Sequence, residues 1–167
     1  MNIFLQFANN NGRKVGRYMK VRDCMNTNLV YAEPQCTVWD IAKLMNEKHV
    51  GSVVICNPQK ELSGITTDRD IVLRGIACEK NMQTTPISEI MTTKVITATP
   101  EDDVANVMQK MAENQIRRLP VIENGKIVGM VTLKDLGSTE KVTDTKVGET
   151  FEEICGCGCE KTQKNAE

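Results

Sequence analysis

Apolar and polar positions follow an order along the chain that occurs twice. The segment "VRDCMNTNLVYAEPQCTV", which begins at Val21, lies over "ISEIMTTKVITATPEDDV", which begins 66 residues later at Ile87. Farther on, "GITTDRDI" at Gly64 lies over "GMVTLKDL" at Gly129, where the offset has fallen to 65. The chain is therefore a tandem repeat whose second copy has lost one residue in an intervening turn.

Each copy predicts the element order β-α-β-β-α. The short extended segments "LVYA" (29–32) and "VITA" (95–98) lead to Pro34 and Pro100, each of which is predicted to start a helix. Apolar residues at helical spacing follow, namely Val38, Ile41, Ala42 and Met45 in the first copy and Val104, Val107, Met108 and Met111 in the second.

Two apolar runs separated by a turn come next in each copy. They are "GSVVIC" and "LSGIT" in the first copy and "RLPVI" and "IVGMVT" in the second. Asn124-Gly125 is typical of a tight hairpin, and Asn57-Pro58 of a turn. The fold class that follows is α/β (α+β), with a second helix after each Thr-x-x-Asp motif.

The repeat also divides the chain. Residues 19–80 form the first unit and residues 81–140 the second. Residues 1–18 fit neither copy and are expected to be an extension of little structural weight. Residues 141–167 are expected to form a polar tail that carries the sequence Cys-Gly-Cys-Gly-Cys.

Charge and hydropathy exclude several classes of protein. Lys and Arg total 21 and Asp and Glu 22, so the net charge of −1 provides no basic field for nucleic acid or an anionic membrane. No segment has the length and apolar character of a signal sequence or a membrane span. We therefore expect a cytoplasmic protein with neither nucleic acid nor membrane as a partner.

The motif that closes each copy has a structural interpretation. Thr67 and Asp70 in the first copy, like Thr132 and Asp135 in the second, have the spacing of a capping box at a helix start. In such a box the hydroxyl accepts from a backbone N–H of the first turn and the carboxylate accepts from the backbone N–H of the capping residue. This interpretation requires no ligand.

A basic residue in each motif favours an additional role. Arg69 and Lys134 each stand immediately before the aspartate, although a helix first turn prefers acidic residues. A cation and free N–H groups at this point suit a phosphate. An ionised carboxylate, which only accepts hydrogen bonds, suits the two hydroxyl donors of a ribose diol. Capping and nucleotide binding are compatible.

These features together resemble a tandem pair of CBS domains, the modules named after cystathionine β-synthase, over roughly residues 19–137. The resemblance implies that the two copies pack as one pseudo-twofold module with two clefts. Such clefts bind adenine nucleotides (AMP, ADP or ATP) or S-adenosylmethionine. It also implies a regulatory role toward a separate partner protein, and homodimers formed through helices. An alternative is a degenerate pair that binds no small molecule and works only through protein contacts.

The resemblance assigns roles to individual residues. Asp70 and Asp135 would bind ribose hydroxyls, and Thr67 and Thr132 would lie near the phosphate. The adenine pocket would draw on Val30 and Ile96. Arg117 and Arg118 would lie near a phosphate, the alternative being two solvated arginines at a strand start. The aligned residues of the first copy are Gly51 and Ser52, so two unequal sites, and a single bound ligand, are compatible with the sequence.

Catalytic chemistry is not indicated. His49 is the only histidine and aligns with Gln115 just past a helix, where a solvated cap residue is expected. Asp68 and Asp70 stand two residues apart at a helix start, so they do not face each other. No nucleophile with a neighbouring base is evident. We expect neither an enzyme nor a required cofactor.

The cysteine-rich tail supports a different hypothesis. Cys155, Cys157 and Cys159 alternate with glycine, and three thiolates suit a soft ion such as Zn²⁺ or Cu⁺. A tetrahedral zinc site needs a fourth ligand, which no nearby cysteine or histidine supplies. The alternatives are a thiol-based metal or redox protein that uses the repeat as a dimer scaffold, and a reduced tail without such a role.

Overall fold

The computed structural model describes residues 19–137 together with residues 148, 150 and 152–154. The elements of the first copy are β1 (Tyr31–Ala32), α1 (Val38–Lys48), β2 (Ser52–Cys56), β3 (Leu62–Thr67) and α2 (Asp68–Asp70). The short α2 continues without interruption into a π turn (Ile71–Gly75) and a 3₁₀ turn (Ile76–Cys78).

The second copy is built in the same order. Its elements are α3 (Val104–Glu113), β4 (Arg118–Glu123), β5 (Lys126–Thr132) and α4 (Leu133–Gly137). A short 3₁₀ turn opens each copy, at Val21–Asp23 in the first and at Ile87–Glu89 in the second. The mixed α/β fold predicted from the sequence is confirmed.

The hairpins of the two copies share one register. Val54 pairs with Ile65 in the antiparallel pair β2–β3, and Pro120 pairs with Met130 in the antiparallel pair β4–β5. Both hairpins change register at equivalent points, after Ile55 in one and after Val121 in the other. The predicted turn at Asn124-Gly125 is confirmed, since both residues have positive φ, 51° and 76°.

The predicted helix starts are wrong by four residues. Pro34 and Pro100 lie in turns, and the helices begin at Val38 and Val104. The reason is visible at Thr37, whose extended backbone and hydroxyl cap α1 by accepting from the Asp40 N–H at 3.1 Å. α3 also begins four residues after its proline, although no side-chain hydrogen bond caps it at Asp103.

The predicted first strand of the second copy is also wrong. Tyr31 and Ala32 pair with β2 in the first copy, whereas within residues 95–98 only Ala98 makes a bridge, with Val121. The cause is a single substitution in the neighbouring strand. Val54 donates its N–H to the Val30 carbonyl at 3.2 Å, but the equivalent residue is Pro120, which has no N–H.

The hydrophobic core of each copy contains residues from the opening segment of the other copy. Val21, in the opening turn of the first copy, is fully buried in the core of the second copy, beside α3 and β4. Ile87 and Ile90, in and directly after the opening turn of the second copy, are buried in the core of the first, beside α1 and β2. Each core therefore needs residues from both copies, so the two copies fold as one module.

The glycine of each motif packs tightly against a methionine of the other copy. A Cβ atom added to Gly64 would lie 2.7 Å from the Met91 sulfur and 2.8 Å from the Thr92 carbonyl oxygen. At Gly129 the corresponding contacts are the Met25 sulfur at 2.9 Å and the Asn26 carbonyl oxygen at 3.3 Å. Each motif therefore opens with a glycine because the opening segment of the other copy leaves no room for a Cβ atom.

No helix in the described part of the chain is long and apolar enough to cross a membrane.

Candidate functional site

Both Thr-x-x-Asp motifs form the predicted capping boxes. The Thr67 backbone N–H and hydroxyl donate to Asp70 Oδ2 at 2.9 and 2.8 Å, and the Asp70 N–H donates to Thr67 Oγ1 at 3.2 Å. The corresponding distances at Thr132 and Asp135 are 2.9, 2.6 and 3.2 Å. One carboxylate oxygen of each aspartate is therefore occupied by the cap, and the other is left for a further contact.

The second carboxylate oxygens have different surroundings. Asp70 Oδ1 lies 3.4 Å from Arg74 Nη1, which also donates to the Ile90 carbonyl at 3.1 Å and to Thr92 Oγ1 at 3.0 Å. Within residues 19–137, no hydrogen bond or ion pair engages Asp135 Oδ1. The residue of the second copy that aligns with Arg74 is the uncharged Thr139. Asp135 is the better placed of the two to accept from a ligand.

The motif of the second copy opens into a cavity of about 860 Å³, here called cavity A. Thr132, Lys134 and Asp135 line it from the second copy. The first copy contributes Asn28, Leu29 and Val30 from the approach to β1, and Val50, Gly51 and Ser52 from the approach to β2. Cavity A is therefore shared between the copies, with acceptor and cation on one side and apolar groups on the other.

The motif of the first copy opens into a smaller cavity of about 300 Å³, here called cavity B. Its lining from the first copy includes Thr67, Asp68, Arg69 and Asp70, and that from the second includes Lys94, Val95, Ile96, Gln115 and Ile116. In both cavities the motif of one copy faces the first extended segment of the other. The repeat thus produces two composite cavities of related design.

Arg117 and Arg118 line both cavities. Arg118 is half-buried at the first position of β4, and it makes no ion pair with any residue in the described ranges. Burial and the neighbouring Arg117 lower the pKa of Arg118, an effect that Asp68 opposes. A guanidinium stays protonated at neutral pH all the same, so a half-buried cation faces both cavities.

The aligned positions of the first copy cannot play this part. Gly51 and Ser52 line cavity A alone and carry no charge. A Cβ atom at Gly51 would lie 3.2 Å from Asp68 Oδ2, so this carboxylate leaves little room for a side chain. The two cavities therefore differ at these positions because of one glycine and one aspartate, and the predicted inequality of ligand binding stays a prediction.

Every predicted ligand contact lies at one of the two cavities. Cavity A is lined by Val30, Thr132, Lys134 and Asp135, cavity B by Thr67, Arg69, Asp70 and Ile96, and both by Arg117 and Arg118. Their binding roles stay predictions. Asn28 and Lys94 were missed, although the repeat offset of 66 places one on the other directly before the first extended segments.

Two other predictions concern residues away from these cavities. His49 is confirmed as a helix cap, since it ends α1 in the left-handed conformation with φ 53°, the value also found at the aligned Gln115. Cys155, Cys157 and Cys159 lie outside the described residues. Within the described ranges no group of three or more His, Cys, Asp or Glu side chains could hold a metal ion. The metal hypothesis for the tail stays a prediction.

Comparison with known proteins identifies the repeat. The sequence matches the CBS domain twice, at residues 21–75 and 87–137. The CBS domain-containing protein YhcV of Bacillus subtilis (strain 168) is 39% identical over 116 residues, which cover 70% of this chain and 81% of YhcV.

Solved structures are similar over the same region. The crystal structure of the conserved CBS domain protein TA0289 of Thermoplasma acidophilum has a TM-score of 0.73 and 28% identity, covering 82% of this chain and 76% of that protein. The CBS domain pair of protein MJ0100, in complex with 5′-methylthioadenosine and S-adenosyl-L-methionine, has a TM-score of 0.66 and 29% identity, covering 72% of this chain and 94% of that one.

Proposed function

Because the chain belongs to the CBS domain family and carries two copies of that domain, we propose that it is a regulatory module that binds an adenine nucleotide and signals its presence to a separate protein. The candidate ligands are AMP, ADP, ATP and S-adenosylmethionine. The adenosine-type ligands of the MJ0100 pair support this ligand class. In this proposal the protein is not an enzyme, needs no cofactor and acts in the cytoplasm, without nucleic acid or membrane.

The observation that carries the proposal is the combination of groups in cavity A. Asp135 offers one carboxylate oxygen to a ribose diol, while the lining near Val30 offers an apolar surface to the base. Arg117, Arg118 and Lys134 supply cations for a phosphate. A volume of about 860 Å³ lies in the range of small-molecule sites, about 300–1,000 Å³. We infer that cavity A is the primary site and cavity B the secondary one.

The mechanism of signalling follows from the shared construction of the site. A nucleotide in cavity A would contact β5 and α4 of the second copy and the segments before β1 and β2 of the first. Such a ligand stabilises whichever arrangement of the copies brings those groups closest to it, and it shifts the population toward that arrangement. A partner protein that contacts both copies would then sense occupancy without touching the ligand.

The direct test is nucleotide binding by the purified full chain, measured by isothermal titration calorimetry and native mass spectrometry. AMP, ADP, ATP or S-adenosylmethionine is expected to bind wild type, with at least a tenfold loss of affinity in Asp135→Ala and a smaller loss in Asp70→Ala. The two variants are matched, since each removes one equivalent capping carboxylate. Absence of binding by all four ligands would overturn the proposal.

We further propose that the module is a homodimer formed through the outer helices of the first copy. Val72, Leu73 and Ile76 follow α2 and are 52%, 49% and 60% exposed, and Trp39 at the start of α1 is 46% exposed. Met82 joins these segments, because its carbonyl accepts from the Trp39 N–H at 2.9 Å and its side chain lies beside Gly75. A twofold axis through this apolar patch would cover it with its own copy.

Light scattering after size-exclusion chromatography tests the dimer. Wild type is expected at twice the chain mass, and Leu73→Glu at the chain mass, because a buried unpaired carboxylate in each subunit opposes association. Lys126→Glu, exposed at the start of β5 in the second copy, is the control for introducing a carboxylate and is expected to stay dimeric. A wild-type monomer would contradict the proposal.

A further inference from the structure

The two cavities share one set of cations rather than owning a set each. Arg117 and Arg118 line both, and no arginine stands at the aligned positions of the first copy. The remaining charged residues of each lining balance within each cavity. By formal charge, Lys134 cancels Asp135 in cavity A, and Arg69 and Lys94 cancel Asp68 and Asp70 in cavity B. The surplus positive charge available to a phosphate in either cavity is therefore this one arginine pair.

We propose that the arginine pair couples the two cavities negatively, so that a phosphate bound in one weakens the binding of a phosphate in the other. This inference rests on the proposed function, which supplies the ligand class. A guanidinium that donates to a phosphate in cavity A has those donors, and part of its charge, withdrawn from cavity B. A second phosphate there meets a neutralised cation and a nearby like charge.

The position of the pair makes this competition direct. The Leu133 N–H donates to the Arg117 carbonyl at 2.9 Å, which fixes the start of β4 against the start of α4 at cavity A. With the backbone fixed at this point, the two arginine side chains are the groups for which phosphates in the two cavities compete. The coupling depends on charge, so a nucleoside without a phosphate, such as adenosine, should not transmit it.

Asp68 adds a difference between the cavities. It lines cavity B and is near enough to Arg118 to favour its charged form, whereas the aligned residue in cavity A is the apolar Leu133. A phosphate entering cavity B must approach Asp68, which is a second reason to expect AMP in cavity A first.

Methyl-resolved NMR of the full chain can follow each cavity separately, because Val30 lines only cavity A and Ile96 only cavity B. In a titration of wild type with AMP, the Val30 methyl signals are expected to shift first. The Ile96 signals should follow at concentrations at least tenfold higher. In Asp135→Asn, where cavity A is impaired, Ile96 should respond to AMP at least tenfold earlier than in wild type. With adenosine, the midpoint at Ile96 should be the same in both proteins.

One variant of the shared pair and one control variant test whether the pair causes the coupling between the cavities. Arg118→Gln is expected to raise the AMP midpoints at both Val30 and Ile96 by tenfold or more, since one guanidinium serves both cavities. Arg22→Gln, an exposed arginine paired with Glu101 away from the cavities, is the matched control and should move neither midpoint. An effect of Arg118→Gln at only one reporter would overturn the sharing.

The outcomes separate this inference from the proposed function. If AMP binds but the Ile96 midpoint is identical in wild type and Asp135→Asn, the coupling is absent while nucleotide binding stands. If neither methyl group responds to AMP, ADP, ATP or S-adenosylmethionine, the proposed function fails, and the inference fails with it.

Discussion

Cavities A and B arise from the same repeated unit, yet they differ in volume, in charge and in the freedom of their aspartates. Both contain a Thr-x-x-Asp cap with nearly identical distances. In cavity B, however, the aspartate also lies near Arg74, and Asp68 stands where cavity A has Leu133. The capping residues are thus duplicated, whereas positions 68 and 74 of the first copy differ in charge from their counterparts, Leu133 and Thr139.

The same division holds in the cores. Gly64 and Gly129 are both pressed by a methionine of the other copy, and both hairpins change register at the same point. One buried position is an exception: Val54 and Pro120 are equivalent and both buried, yet they differ, at the cost of one short strand. A comparison of equivalent positions therefore shows which contacts both copies retain.

The largest effect is expected from adding a methyl group at the two motif glycines. Gly64→Ala places a Cβ atom 2.8 Å from a backbone carbonyl oxygen, which cannot move without shifting the chain. It should lower the free energy of unfolding by about 3 kcal/mol, at the upper end of typical overpacking. Gly129→Ala, where the nearest atom belongs to the flexible Met25 side chain, should cost about 1 kcal/mol. Urea denaturation measures both, and equal losses would contradict the interpretation.

Exchange of the core residues Thr66 and Val131 should give effects of opposite sign. These residues occupy equivalent positions in β3 and β5 and are both fully buried, but the Thr66 hydroxyl has no hydrogen-bond partner among the described residues. Thr66→Val should raise the free energy of unfolding by about 1 kcal/mol, and Val131→Thr should lower it by about 2 kcal/mol. Thermal denaturation is the measurement. A loss of stability in Thr66→Val would show that the hydroxyl is satisfied.

Arg74→Thr makes the first copy resemble the second at the aspartate of cavity B. Removing the guanidinium frees Asp70 Oδ1 for a ribose, so adenosine should bind cavity B a few-fold more tightly, which corresponds to less than about 1 kcal/mol. Calorimetry in an Asp135→Ala background isolates that cavity. Arg74→Lys, which keeps the charge near Asp70, is the control and should leave the affinity unchanged. Weaker binding in Arg74→Thr would indicate that Arg74 itself contacts the ligand.

The smallest effect is expected from Cys24, which aligns with the buried Ile90. Partial burial, with Asp135 and Asp23 nearby, raises the pKa of the Cys24 thiol from 9.0 to about 11. The thiol therefore favours the folded state most below pH 9, and this contribution is lost as the pH rises toward 11. Cys24→Val should flatten the decline in melting temperature over that interval. An unchanged decline would exclude Cys24 as its source.

Much of this arrangement could be predicted from the sequence, and the residues show why. The internal repeat gave the element order, the hairpins and both capping boxes, because these depend on neighbours along the chain. The short pairing of residues 95–98 was not predicted, since it depends on Pro120, which has no N–H to donate, lying beside this segment in space. The sharing of Arg117 and Arg118 by two cavities was not predictable either, because no spacing in one dimension reveals it.

Because each core contains residues from the opening segment of the other copy, the order of synthesis determines when each core can be completed. The core of the first copy lacks Ile87 and Ile90 until the ribosome has released the segment that follows it. Val21, among the earliest described residues to emerge, finds its place only after α3 and β4 have been made. The core of the first copy therefore stays incomplete until the start of the second copy has been synthesised. The module becomes stable only when nearly all of residues 19–137 are free to fold.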